Sequence, residues 1–260
     1  MSVSPATSQP SLQRVVGLPG AVLLGLGSIL GTGVFVSLGI SAGVAGTAML
    51  PAILVAGGVA LLNGLSSAQL AAAYPVSGGT YEYGYRLIGP RAGFAAGWMF
   101  LCAKSASAAT GALGLAGYLL NALGVGAEYR TGLALGLVLA TTFLVAGGMQ
   151  RSARANTWIV GTTLLGLLAF VAGAFWHVVQ VGGPPLDSVW PPGLPVPRFL
   201  EACALLFVAF TGYGRIATLG EEVHEPRRTI PRAILTTLAV SVGLYVAVAG
   251  AAIALVGAGV

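Results

Sequence analysis

Long apolar stretches that almost lack charged side chains run through nearly the whole chain. Hydrophobic residues make up 56% of the 260 positions, whereas Lys, Arg, Asp and Glu together make up 7%. A soluble domain carries about 25% charged residues, so this chain cannot cover a surface that faces water. A soluble globule, a disordered chain and a disulfide-rich scaffold are therefore excluded, and we expect an outer surface that faces lipid.

Seven of the apolar stretches are long enough to cross a bilayer as a helix, which takes about 20 residues. The sequence therefore predicts an all-α polytopic membrane protein. We number the predicted spans 1 to 7, at about residues 15–39, 46–73, 92–123, 131–148, 156–179, 199–219 and 233–257. Residues 1–14 are polar and predict a disordered tail, and residues 15–260 predict a single transmembrane domain.

The basic residues of the loops predict the orientation of the chain. With the N-terminus inside, nine arginines fall in inner segments, and only Arg130 and Arg198 fall in outer segments. Because cytoplasmic loops carry the excess of Lys and Arg, we predict a plasma-membrane protein with a cytoplasmic N-terminus. The basic residues are dispersed among the loops, so no nucleic-acid partner is expected.

The residue types inside the spans argue against metal and enzyme chemistry. Both cysteines, Cys102 and Cys203, lie in apolar stretches, and we interpret them as small buried hydrophobic residues. No metal, cofactor or disulfide framework is expected. No span contains Asp or a Ser–His pair at membrane depth, so the sequence does not predict a membrane enzyme.

Two spans carry glycine-rich interruptions of their helical pattern. Span 1 holds four glycines within residues 25–33, and each weakens a helix by about 1 kcal/mol relative to alanine. Span 6 holds a second such run at residues 207–214, and both runs contain a Thr-Gly step. Interrupted spans at corresponding places in two repeats are typical of transporter binding sites, so we interpret both as broken helices. The alternative is that Gly27 and Gly31 form a GxxxG motif that only packs another helix.

A break in a membrane helix predicts the chemistry of its ligand. One half-helix presents unpaired N–H groups and a positive dipole end, and the other presents unpaired carbonyls and a negative end. A zwitterionic amino acid satisfies both, because its carboxylate accepts from the N–H groups and its ammonium donates to the carbonyls. No charged side chain lies within residues 31–35, and such a ligand needs none.

Three motifs occur in order along the chain: Gly-Thr-Gly-Val-Phe at 31–35, Tyr-Pro-Val-Ser-Gly-Gly-Thr-Tyr at 74–81, and a long motif at 207–234 that contains Pro-Arg-Arg-Thr-Ile-Pro. Together they resemble the amino acid–polyamine–organocation (APC) superfamily of permeases, and most closely its cationic-amino-acid-transporter-like branch. The resemblance implies secondary active transport. It also implies a five-plus-five inverted repeat, usually within twelve spans, of which this chain would hold the N-terminal part with broken helices 1 and 6.

The resemblance further implies two groups of residues, one in each break, that contact an amino acid substrate. The group that meets the carboxylate through its backbone is Ile29, Gly31, Thr32 and Gly33. The group that meets the ammonium through its carbonyls is Phe207, Val208 and Phe210. An aromatic side chain, Phe210 or Tyr213, would help to close the site.

Proton-coupled members of the superfamily carry a lysine in span 5, and the matching position here is about Thr163, which cannot carry that charge. Lys104 is the one basic residue deep in a span, roughly 18 Å from either end of span 3. A charge at that depth costs a few kcal/mol, so Lys104 is expected to face protein or a wet cavity. Either Lys104 replaces the span-5 lysine, with the proton as coupling ion, or it caps carbonyls of the scaffold.

The charged residues that follow spans 2 and 6 have two interpretations. In the first, they form an inner gate whose ion pairs break on opening, and this gate consists of Arg86, Glu221, Glu222, Arg227 and Arg228. In the second, they are a solvated loop that follows the positive-inside rule.

Seven spans are five fewer than the resemblance implies, because the second repeat would stop after its second helix. We therefore expect that residues 1–260 alone do not transport. A non-transporting membrane fragment, or an interaction partner derived from a permease, is the alternative function. The sequence does not specify which amino acid is bound, since the predicted site uses backbone groups that contact every amino acid alike.

Overall fold

The computed structural model describes residues 14–182 and 189–256, and its regular structure is helical apart from two isolated bridges. The predicted tail at 1–14 lies outside these residues except for Arg14. The α-helices described are α1 Leu18–Thr32, α2 Leu38–Ala45, α3 Met49–Ala73, α4 Thr80–Leu87, α5 Pro90–Leu123, α6 Arg130–Ala146, α7 Met149–Val181, α8 Val196–Phe210, α9 Gly214–Ala217 and α10 Pro226–Val256. Shorter turns complete the set, a π-helical segment at Gly33–Ser37 and 3₁₀ turns at Gly46–Ala48, Ala127–Tyr129 and Thr211–Tyr213. The predicted all-α fold is confirmed.

Six helical segments of the described chain are long and apolar enough to cross a membrane, and the first runs from Leu18 to Ala73. Its 56 residues would make a straight helix about 84 Å long, far more than the ~30 Å hydrocarbon core of a bilayer. The segment is interrupted at Gly46, whose φ of 55° is a conformation that glycine adopts readily.

The two ends of this long segment lie at the same end of the molecule. Val16, just before α1, forms a bridge with Val223, and Ser77, shortly after α3, forms a bridge with Leu219. The first helical arm and α3 therefore run in opposite directions, and each is a separate span. Counted in this way, the described helices form the seven predicted spans.

The core of the bundle lies between α1, α3, α8 and α10. α10 packs mainly on α3 and α1, and α8 packs on α3. Glycines allow the closest of these approaches, since a Cβ added to Gly57 or Gly64 of α3 would lie 2.7 Å from Val242 or 2.8 Å from Leu238 of α10. Part of the glycine content therefore serves tight helix packing, as expected in a bilayer.

Two helices begin earlier than predicted. α7 begins at Met149, seven residues before predicted span 5, and α10 begins at Pro226, seven residues before predicted span 7. Hydropathy locates only the part of a helix that lies in lipid, whereas backbone hydrogen bonding continues the helix into water. Pro226 suits the first turn of α10, where its missing N–H leaves no bond unmade.

The interpretation of Cys102 as a buried residue is wrong. Cys102 is exposed and Cys203 is half-buried, and both thiols are free. The reason is the peripheral position of α5, whose buried residues are limited to Gly93, Ala116 and Leu120. An apolar side chain on the outer face of α5 is thus a residue for lipid or for further protein to cover.

Candidate substrate site

A cleft of about 770 Å³ opens beside the interruption of span 1. Its walls are the end of α1 with the π segment that follows, the middle of α5, and part of α7. Polar side chains on all three walls face an otherwise apolar space, and they are Ser28, Thr32, Lys104, Ser107, Tyr118 and Thr163. An apolar cleft with a few polar groups is the usual form of a small-molecule site.

Small residues bring α5 close to span 1 and leave the helix backbone open to the cleft. A Cβ added to Gly111 would lie 3.4 Å from Thr32 Cγ2, and one added to Gly114 would lie 3.0 Å from Val36 Cγ2. A Cβ added to Gly31 would have no neighbour within 4 Å. The backbone at Gly31 is therefore accessible from the cleft without any side chain in the way.

The interruption of span 1 is a π turn, in which the Leu38 N–H donates to the Gly33 carbonyl. At its start the Gly33 N–H donates to the Leu30 carbonyl, so it is not available to the Ile29 carbonyl, its usual α-helical acceptor. The Tyr245 hydroxyl of α10 donates to the Ile29 carbonyl instead, at 2.8 Å and fully buried. Departures of this kind are common at functional sites.

A second tyrosine, on a different helix, binds the π segment itself. The Tyr118 hydroxyl of α5 donates to the Phe35 carbonyl. Tyr245 and Tyr118 thus hold main-chain carbonyls on either side of Gly33. Sequence reasoning missed both residues, although a lone tyrosine in an apolar span is a signal, because a buried Tyr hydroxyl usually has a hydrogen-bond partner.

The interruption of span 6 is the 3₁₀ turn Thr211–Tyr213 between α8 and α9. At this turn Gly212 lies so close to span 1 that an added Cβ would overlap the backbone of Ser28. The Phe210 ring lies 5.0 Å from the Tyr245 ring, centroid to centroid. The span 6 turn therefore packs on α1 just before the π segment, in the centre of the bundle. Both glycine-rich runs depart from α-helical geometry at the predicted places, but both are tight helical turns and neither unwinds the chain as the prediction of broken helices requires.

The structure places the residues predicted in span 1 in two environments. Gly31 and Thr32 line the cleft. Ile29 is buried and its carbonyl is taken by Tyr245. Gly33 is buried, and a Cβ there would lie 3.2 Å from Ala209.

The residues predicted in span 6 lie away from the cleft in the part of the chain that the structure describes. Phe210 and Tyr213 are buried in the core. Phe207 is half-buried against the core, and Val208 is 65% exposed. Among the described residues, the structure thus brings Gly31 and Thr32 of the span 1 group, and none of the span 6 group, to the wall of the cleft.

Both candidate coupling residues line the cleft, Lys104 from α5 and Thr163 from α7. The Lys104 ammonium lies 5.5 Å from the centroid of the Phe100 ring, a cation–π distance. None of the described residues that line the cleft is Asp or Glu. Within the described ranges no three His, Cys, Asp or Glu side chains come together as a metal site would require.

The residues predicted as an inner gate lie at one end of the bundle, and two of them have contacts within the described residues. Arg86 forms its ion pair with Glu82, four residues earlier in α4, at 2.6 Å. The Glu221 carboxylate accepts from the Ser77 N–H at 3.4 Å. The loops that follow spans 2 and 6 are therefore joined by this hydrogen bond as well as by the Ser77–Leu219 bridge.

The protein has the architecture of a membrane transporter. Two interrupted helices touch each other in an all-α membrane bundle, and a cleft with polar side chains lies beside them. The chain belongs to the amino acid permease family, whose family model matches residues 20–258. The recognition of the APC superfamily from its motifs is thereby confirmed.

Curated relatives extend the match over nearly the whole chain. An uncharacterised transporter of Mycobacterium tuberculosis is 41% identical over 98% of this chain and 56% of its own length. The branched-chain amino acid permease BcaP of Bacillus subtilis is 30% identical over 95% of this chain and 56% of its own length. The chloroplastic cationic amino acid transporter 9 of Arabidopsis thaliana is 29% identical over 94% and 46%, respectively. The chain spans about half the length of the curated relatives it matches.

Proposed function

We propose that the chain forms one side of the substrate site of an amino acid permease, a secondary active transporter of the plasma membrane with its N-terminus in the cytoplasm. One observation carries this proposal. The cleft opens on Gly31 and Thr32, the last residues of α1 before its interruption. Because Gly31 has no side chain, a ligand can reach the main chain at this point.

The cleft offers partners for both charges of an amino acid. The carboxylate is expected between the backbone at Gly31 and the Lys104 ammonium, and a charged donor gives the stronger hydrogen bond. The ammonium is expected to donate to hydroxyls that line the same cleft, Ser28 of α1 and Ser107 of α5. Substrate contacts from span 6 stay a prediction, and the residues concerned are Phe207, Val208, Phe210 and Tyr213. For these contacts to form, the main-chain carbonyls of span 6 would have to turn toward the cleft.

The charge of the cleft supports a neutral amino acid as substrate. Lys104 is the only charged side chain among the described residues that line the cleft, and none of them is acidic. The apolar wall includes Val36, Leu115 and Ile159, which suit an aliphatic side chain. The name of the Bacillus subtilis relative, a branched-chain amino acid permease, agrees with this choice.

We expect the purified chain in lipid nanodiscs to bind leucine about 30-fold more tightly than arginine. A cationic side chain about 8 Å from Lys104 would be repelled by about 2 kcal/mol at an effective dielectric constant near 20. Scintillation proximity with radiolabelled amino acids measures both Kd values. Lys104→Met should bring them within about threefold, whereas Lys104→Arg, which keeps the charge, should keep the difference. Arginine binding as tight as leucine binding to the unchanged chain would contradict the charge argument.

Uptake experiments test the proposed coupling role of Lys104. Lys104 and Thr163 line one cleft, so the lysine ammonium can act near the position that matches the span-5 lysine of proton-coupled members. Because residues 1–260 alone are expected not to transport, the uptake test uses proteoliposomes with this chain joined to the C-terminal spans of a full-length relative. In that protein an inward proton gradient is expected to speed leucine uptake, and Lys104→Met is expected to abolish the response. Leucine binding without uptake by the joined protein would favour the alternative function, a membrane protein that binds but does not transport. Failure to bind any amino acid would contradict the proposed function.

A further inference from the structure

A second cleft, separate from the substrate cleft, lies at the end of the bundle where α10 begins. Its volume is about 480 Å³. Basic side chains dominate its walls, and the residues that line it are Arg14, Pro75, Glu225, Pro226, Arg227 and Arg228. We call it the arginine cleft.

Backbone hydrogen bonds fix two of the segments that form the arginine cleft, the one that follows Arg14 and the one that precedes α10. The N–H groups of Val15 and Val16 donate to the Glu222 carbonyl, both at 3.0 Å, and the His224 N–H donates to the Val16 carbonyl at 2.9 Å. These bonds hold Arg14 beside the start of α10, although it lies more than 200 positions away in sequence. The cleft is thus formed by the fold and not by one run of arginines.

The arginine cleft carries an excess of positive charge. Three guanidinium groups face one carboxylate, Glu225, and the Glu225–Arg228 pair is 4.0 Å apart with both side chains about three-quarters exposed. Such an exposed pair contributes little, so it does not neutralise the cleft. The N-terminal end of the 31-residue helix α10 adds a partial positive charge at the same place.

The position of the arginine cleft is at the boundary between the apolar bundle and water. Pro75 follows the end of α3 at Ala73. Arg227 and Arg228 precede the first buried apolar residue of α10 beyond them, Ile230. In a bilayer the phospholipid phosphates lie at the boundary between the apolar core and water, and arginine forks bind phosphate oxygens in pairs.

We propose that the arginine cleft binds a phosphate group, carried either by an anionic phospholipid or by a soluble phosphate compound. Arg14 and Arg227 would hold the phosphate oxygens from two sides. The backbone hydrogen bonds that join residues 15–16 to residues 222–224 keep the two side chains together. Phosphate binding would therefore also tie the N-terminal segment to the start of α10. The proposal does not depend on the identity of the transported substrate.

The test compares two arginine pairs in the purified chain. Native mass spectrometry measures retained phosphatidylglycerol against phosphatidylcholine, and phosphorus NMR titration measures inorganic phosphate. In the Arg14→Gln/Arg227→Gln variant we expect at least about tenfold weaker binding of one of these two anions. The matched control, Arg151→Gln/Arg154→Gln, removes two exposed arginines at the start of α7 and should retain the affinity of the unchanged chain.

The anion that responds identifies the source of the phosphate group. If neither anion distinguishes the cleft variant from the control variant, the proposal is wrong, because the attraction is then only that of net charge. If the double variant does not give monodisperse protein, Arg227→Gln alone replaces it, with an expected loss of about threefold to tenfold. Equal binding of phosphatidylglycerol by Arg227→Gln and Arg154→Gln, with no difference for inorganic phosphate, would then overturn the proposal.

Discussion

Replacing Gly212 with alanine is expected to lower the free energy of unfolding of the purified chain by about 3 kcal/mol, the upper end of overpacking effects. An added Cβ would overlap the Ser28 main chain and lie 2.7 Å from Ile29 Cγ1. A main chain cannot rotate away as the end of a side chain can, so the two interrupted helices would have to separate. Circular dichroism in detergent should record a fall in Tm of roughly 6–12 °C.

Gly214 provides a matched control within the same interrupted region. It has helical dihedral angles, with φ of −54° and ψ of −24°, and an added Cβ would meet nothing within 4 Å. Gly214→Ala should therefore leave the free energy of unfolding unchanged or raise it by about 0.4–1 kcal/mol. Tm should accordingly stay the same or rise slightly. Equal losses in the two variants would mean that glycine flexibility, and not close approach of the helices, is what this region requires.

The second large effect is expected at Gly33, which faces the hydroxyl of Tyr245. An added Cβ would clash with that hydroxyl and lie 2.9 Å from Tyr245 Cζ. Gly33→Ala should then displace Tyr245 from the Ile29 carbonyl and cost about 3 kcal/mol, since a clash adds to a lost buried hydrogen bond. Tyr245→Phe alone should cost about 1–3 kcal/mol, because it leaves the Ile29 carbonyl without its donor.

The two substitutions should not be additive. In the Gly33→Ala/Tyr245→Phe double variant the clashing oxygen is absent and the hydrogen bond is lost only once, so the total cost should fall short of the sum by about 1–2 kcal/mol. Gly39→Ala, with nothing within 4 Å of the added Cβ, is the control for helix propensity. A strictly additive cycle would show that Gly33 and Tyr245 act independently.

The sequence predicted where the helices are interrupted but not what holds them there. Glycine runs at 25–33 and 207–214 located both breaks, because glycine weakens a helix locally. The partner of the Ile29 carbonyl is Tyr245, 216 positions away, and no local pattern contains that pairing. The π and 3₁₀ forms of the breaks depend on such contacts, so they were not predictable from residue spacing.

The candidate site was predictable to a similar extent. The depth of Lys104 in span 3 predicted that it faces a cavity, and it lines the cleft with Thr163. The expected position of Phe207 and Val208 came from resemblance alone, and the described chain leaves Val208 exposed. Side-chain exposure depends on which helices cover a residue, and this chain spans about half the length of the relatives it matches.

The bridge between Val16 and Val223 also sets the order in which the protein can be completed during synthesis. Span 1 is synthesised before its partner segment, which lies 207 residues later, roughly 10–40 s at ordinary rates of translation. During that interval the start of α1 lacks the backbone partners at Glu222 and His224 that later hold it. The N-terminal end of α1 is therefore fixed by these bonds only after residue 224 has been made, although the rest of the helix is complete much earlier.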